Sequence, residues 1–135
     1  MAKKKTKQVS DRVAKKFQFC YLNDNILGLN IYWIQCDRKT YRSAVLIEFS
    51  KVAPEKKPTV QASFEVYYVD DVPAGVIWLS TKSISDAAHE SLHAVHWHLQ
   101  TRGLWLADAS EEIYAYYIQH LVEQIGLSFK KGMTV

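Results

Sequence analysis

Residues 87–94, Ala-Ala-His-Glu-Ser-Leu-His-Ala, contain H-E-x-x-H inside a segment with helical periodicity. At 3.6 residues per turn, positions i and i+4 stack on one face, so His89 and His93 can offer imidazole nitrogens to one tetrahedral metal. Glu90 projects about 100° round the helix from His89, where a carboxylate can take a proton from water without being a ligand. Two fixed nitrogens, an open position and a nearby base are the requirements of a zinc hydrolase. With five His and seven Glu in 135 residues, a random chain shows the pattern about once in a hundred. The competing reading is a helix whose histidines face solvent or sit satisfied in a core.

The flanking residues suit a helix. Ser83-x-x-Asp86 reads as an N-cap with an acid in the first turn, the helix runs over about 84–101, and Gly103 stops it. Ala88, Leu92, Val95 and Leu99 supply apolar packing. His96 follows His93 on the same side, and His98 lies off that face. A second helix begins at Asp108-Ala109-Ser110-Glu111, with Asp108 as N-cap and Glu111 close to a capping box. It continues through Tyr114, Ile118, Leu121, Val122 and Ile125, with Gly126 as its end and a short tail after it.

The amino-terminal half reads as strands. Residues 17–22 are aromatic and partly alternating, and 26–34 are apolar but interrupted by Gly28 and Asn30. Residues 41–50, with Ala44-Val45-Leu46-Ile47 as core, read as a sheet strand. Pro54-Glu55-Lys56-Lys57-Pro58 is a charged connection. Residues 59–69 alternate at period two, with Val60, Ala62, Phe64 and Val66 on one face. The spacing predicts 41–50 and 59–69 as antiparallel neighbours, then a turn over 70–75 and a short strand over 76–80. The fold expected is α+β: a small, mostly antiparallel sheet from the amino-terminal half packed against two carboxy-terminal helices.

The chain, 135 residues and 48% hydrophobic, matches one globular domain, read as residues 12–135 behind a basic, flexible tail over 1–11. Lys3, Lys4, Lys5, Lys7, Lys15 and Lys16 hold most of the net charge of +3. No basic stripe continues beyond them, which leaves a nucleic-acid function little support. Cys20 and Cys36 are too few for a disulfide framework. No apolar stretch reads as a signal peptide or membrane span, so the expected compartment is the reducing cytoplasm.

Two histidines alone make a weak site, since a catalytic zinc takes three protein ligands and water. Glu111, Glu112, His96, His98, His120 and Asp108 are candidates for the third. The return through residues 102–110 favours the two glutamates. Glu111 shares a face with Tyr114, Ile118 and Ile125, yet it also suits the capping role.

His89-Glu90-Ser91-Leu92-His93, with Glu112-Ile113-Tyr114-Ala115-Tyr116 beyond a Gly-containing loop, resembles the gluzincin branch of the zincin metallopeptidases. It looks most like the small zincin-like proteins encoded by bacteriophages, and the resemblance covers about residues 80–126. It implies Zn²⁺ held by His89, His93 and Glu112, with Ala115 letting the helices approach. It further implies Glu90 as the catalytic base, and Tyr116 or Tyr114 as a donor to a developing oxyanion. The substrate is then a peptide or protein bound in extended form by an edge strand, for which Val76–Ser80 is the candidate. The rival of another class is a catalytically silent interaction module, phage-encoded, in which zinc braces the two helices.

Overall fold

The computed structural model of the chain describes residues 19–24, 29–49 and 61–130. The basic segment 1–11 and the connection 54–58 lie outside the described residues. Among the described residues four strands form one sheet: β1 (Cys20–Asp24), β2 (Leu29–Gln35), β3 (Ala62–Val69) and β4 (Val72–Leu79). Their order is β1-β2-β4-β3. β1 pairs with β2 and β3 with β4 in antiparallel fashion, whereas β2 and β4 are parallel. Among the described residues three helices accompany the sheet: α1 (Arg38–Glu48), α2 (Ile84–Gln100) and α3 (Glu111–Lys130). The class is α+β, as expected, with a mixed sheet.

β3 and β4 form a hairpin whose two connecting residues, Asp70 and Asp71, have φ of 51° and 65°. Two consecutive left-handed residues give the turn that matches the twist of the flanking strands, and Asp tolerates that region better than most side chains. The turn is thus two residues long, where the sequence suggests 70–75. Val72 and Pro73 already belong to β4. Pairing with β2 begins only at Gly75, so the N–H that Pro73 lacks is missed by no partner strand on that side. From Ala74 to Leu79 every residue of β4 is buried, the signature of a strand covered on both faces.

Residues 41–50 are the clearest departure from the sequence reading: α1 occupies them up to Glu48. Asp37 caps this helix, its Oδ1 accepting from Thr40 N at 2.7 Å and its Oδ2 from Thr40 Oγ1 at 3.0 Å. Tyr41, Ala44, Val45 and Phe49 are buried, at spacings of three, four and eight, whereas Leu46 and Ile47 are exposed. A run of four apolar residues imitates a strand, but burial follows the helical period. The predicted pairing of 41–50 with 59–69 therefore does not form. Parallel β2 and β4 need a crossover rather than a hairpin, and α1 stands in that connection.

The sheet is packed on both faces. Ile31, Trp33, Ile77 and Leu79 meet Ala94, Val95 and Leu99 of α2 and Tyr117, Leu121 and Ile125 of α3. On the other face Ile34, Tyr67, Val76 and Trp78 meet Tyr41, Ala44 and Val45 of α1. Buried indoles keep hydrogen-bond partners, as desolvation demands: Trp33 Nε1 donates to Ser128 Oγ at 3.0 Å and Trp78 Nε1 to the Cys36 carbonyl at 2.8 Å. Cys20 and Cys36 are buried thiols, not joined in a disulfide, on opposite faces of the sheet. Burial pushes both thiols up, that of Cys36 to about 12. Among the described residues no helix is long and apolar enough to cross a membrane.

The α2–α3 hairpin matches the expected pair of helices, with two changes. α3 runs through Gly126 to Lys130, so Gly126 is an interior residue rather than a stop. Its φ is not left-handed, so the turn by which glycine commonly closes a helix is not made there. Asp108 does not cap α3. Ser110 precedes its first residue, and the Ser110 hydroxyl is turned back into the loop, accepting from Ala107 N at 3.1 Å and donating to the Trp105 carbonyl.

Candidate metal centre and groove

α2 starts where the sequence places it: Ser83 Oγ accepts from Asp86 N at 3.1 Å. Fixing that first turn sets the phase of the later ones, so His89, His93 and Trp97 form one row at spacings of four. His89 and His93 are exposed, and their Nε2 atoms lie 3.3 Å apart. Two nitrogens each about 2.05 Å from a tetrahedral ion stand about 3.3–3.4 Å apart. The observed separation equals that value, so the pair fits two positions of a zinc site. The same distance also suits an imidazole–imidazole hydrogen bond, which a metal would displace.

Glu90 is only 8% exposed, and its Oε2 lies 3.9 Å from His89 Nε2. The sequence places the carboxylate a third of a turn from the pair, and folding adds the burial. A cleft of about 490 Å³ opens beside it, lined by Glu90, His93, His96, Trp97 and Gln100 of α2 and by Ser63 and Phe64 of β3. β3 is the terminal strand of the sheet and packs on α2. Among the described residues the strand beside the histidine helix with an unpaired edge is thus β3. Val76–Ser80, expected to be that edge, belongs to or adjoins β4, which is bonded to β2 on one side and β3 on the other. A strand so flanked cannot take up another.

Gly75 of β4 underlies the cleft. A Cβ there would stand 2.9 Å from Ile31 Cδ1 and 3.0 Å from both Phe64 Cε1 and Trp97 Cζ3. Absence of a side chain therefore lets Phe64 and Trp97 settle against the sheet with ring centroids 5.7 Å apart. The sequence alone does not single out Phe64, Trp97, Gln100 or Ser63 as cleft residues. Trp97 is within reach of it, since it continues the His89–His93 row. Phe64 requires knowledge of which strand lies next to α2.

The remaining candidates are dispersed. Glu111 and Glu112 are both exposed in the first turn of α3, which corrects the inward orientation that periodicity suggests for Glu111. Among the described residues no three His, Cys, Asp or Glu side chains form a group that could hold a metal ion. Tyr116 is 57% exposed, its ring stacked on His120. Tyr114 is buried and donates its hydroxyl to the Leu104 carbonyl at 2.6 Å, which assigns it to holding the α2–α3 loop. Burial keeps that hydroxyl above the usual tyrosine range. His96 contacts the Gln100 amide within the cleft, and His98 is buried.

Comparison with known proteins adds nothing to this geometry: no protein-family model, no curated protein and no solved structure matches the chain.

Proposed function

We propose that the protein is a zinc-dependent hydrolase of the H-E-x-x-H type acting on peptide bonds. The observation that carries the reading is the 3.3 Å separation of His89 Nε2 and His93 Nε2, which suits chelation of one tetrahedral ion. His89 and His93 hold the ion in this reading, and Glu112 is assigned as the third ligand on its resemblance to the zincin pattern. A bound zinc supplies Lewis acidity towards a carbonyl oxygen and a water. Glu90, buried at the cleft wall, accepts a proton from the attacking water and returns it to the amine nitrogen as the C–N bond breaks. The free edge of β3 aligns an extended peptide across the cleft by backbone hydrogen bonds. Phe64 and Trp97 offer an apolar wall to one substrate side chain. The buried thiols Cys20 and Cys36, not joined in a disulfide, suit a reducing cytoplasm, that of the host if the chain is phage-encoded as its resemblance suggests.

The test pairs metal analysis with turnover of a mixed peptide library. Glu90→Gln is expected to keep one equivalent of zinc and to lose hydrolysis by about 10²-fold or more, while His93→Ala loses both. Hydrolysis persisting in Glu90→Gln overturns the assignment of the base. A second reading is favoured by one observation, the lack of a converging third ligand among the described residues. It keeps the ion as a brace on an interaction module, and predicts zinc binding by the wild type with no turnover of the library.

A further inference from the structure

The loop between α2 and α3 is built to hold two apolar side chains out into solvent. Trp105 is 64% exposed and Leu106 is 56% exposed. The backbone beneath them is pinned. Gly103 takes φ of 75°, and Leu104 N donates to the Leu99 carbonyl while Gly103 N donates to that of Gln100, closing α2 as a Schellman motif. Tyr114 holds the Leu104 carbonyl, and Ser110 holds the Trp105 carbonyl and Ala107 N. A loose loop would let the indole fold back on the surface. This one presents it at little entropic cost, and Trp is among the residues enriched in the hot spots of protein interfaces.

At the opposite end of the same helical hairpin lies a groove of about 510 Å³, lined by Ile84, Val122, Glu123, Gly126, Leu127 and Lys130. The two features are about 25 Å apart, the length of the 17-residue α2. Their charges match. In sequence the knob lies between Arg102 and Asp108, both exposed, and the groove carries exposed Glu123 and Lys130 two helical turns apart. Arg102 can meet Glu123 while Asp108 meets Lys130, which fixes a direction of docking.

We propose that the chain assembles head to tail, with Trp105 and Leu106 of one copy seated in the Ile84–Val122–Gly126–Leu127 groove of the next. Knob and groove are different surfaces of one molecule, so the interface is heterologous and propagates into rings or filaments. The proposal is independent of any metal or hydrolytic reading.

Sedimentation velocity on the full chain, from low micromolar to several hundred micromolar, reads the assembly. Wild type is expected to grow in mean mass with concentration. Trp105→Ala removes the knob, and Gly126→Leu fills the groove with a side chain whose Cβ makes only ordinary contact, 3.5 Å from Ile84 Cδ1. Each variant alone is expected to associate at least tenfold more weakly. Mixed in equal amounts, they form a one-to-one pair that grows no further, because one brings an intact groove and the other an intact knob. Should either variant fail to fold, Arg102→Glu weakens assembly and the added Glu123→Arg restores it. A monomeric wild type overturns the proposal, and so does a mixture or double variant that restores nothing. A wild type that assembles only after removal of residues 131–135 assigns the groove to the chain's own end and overturns it equally.

Discussion

Gly75 shows how much a single position controls. It sits under the candidate cleft with Ile31, Phe64 and Trp97 within 3.0 Å of where a Cβ would be, so the two aromatic walls rest on a space rather than on a side chain. Gly75→Ala is expected to cost about 1–3 kcal/mol through overpacking, and to displace Trp97. A lowered unfolding midpoint in urea with a shifted Trp emission checks this; unchanged emission and stability contradict it. Elsewhere residue-level signals divide into readable and unreadable. The His89–His93 spacing and the Ser83 cap follow from local pattern. The seating of Phe64 against Trp97 does not, because it depends on strands brought together over long sequence distances.

Elements are legible where their ends carry chemistry. α2 begins at a Ser with its hydroxyl on Asp86 N, and it closes at Gly103, the described glycine with left-handed φ. Gly103→Ala is expected to destabilise the domain by about 1 kcal/mol, with hydrogen exchange accelerated over residues 99–105 and not in the sheet. Uniform acceleration would show instead that the loop has no independent stability. α1 escapes sequence reading because its start signal, Asp37 with Thr40, also reads as a polar break. Its apolar run Ala44–Ile47 hides a buried pair followed by an exposed pair. Gly126 misleads for the converse reason: it reads as a stop, but its backbone does not make the left-handed turn by which glycine commonly closes a helix. Residues 76–80 look like the edge strand because β4 is the strand next to α2 in sequence, whereas in the sheet it is central.

At the scale of the molecule, the α+β class is readable from strands followed by helices, but the packing of helices on both faces is not, since α1 imitates a strand. The histidine pair lies on the outer row of α2, so an ion there ties residues of one helix, or of two if Glu112 completes the set. Saturating zinc, at a hundred times its dissociation constant, is then expected to stabilise the fold by about 2.7 kcal/mol. Thermal unfolding with zinc, with chelator and in His93→Ala checks this. The shift should vanish in the last two, and its survival in His93→Ala would move the ion elsewhere.

The parallel register of β2 on β4 pairs Ile31 with Gly75, residues separated by α1, β3 and the hairpin turn. The β3–β4 hairpin closes through two residues and can zip early. Before β2 arrives, β4 offers its other rim, and the apolar residues Val76–Leu79, to any strand that passes. A nascent or heat-stressed chain is therefore open to mispairing along that rim until α1 has carried β2 across, so the crossover guards the molecule against aggregation as well as shaping it.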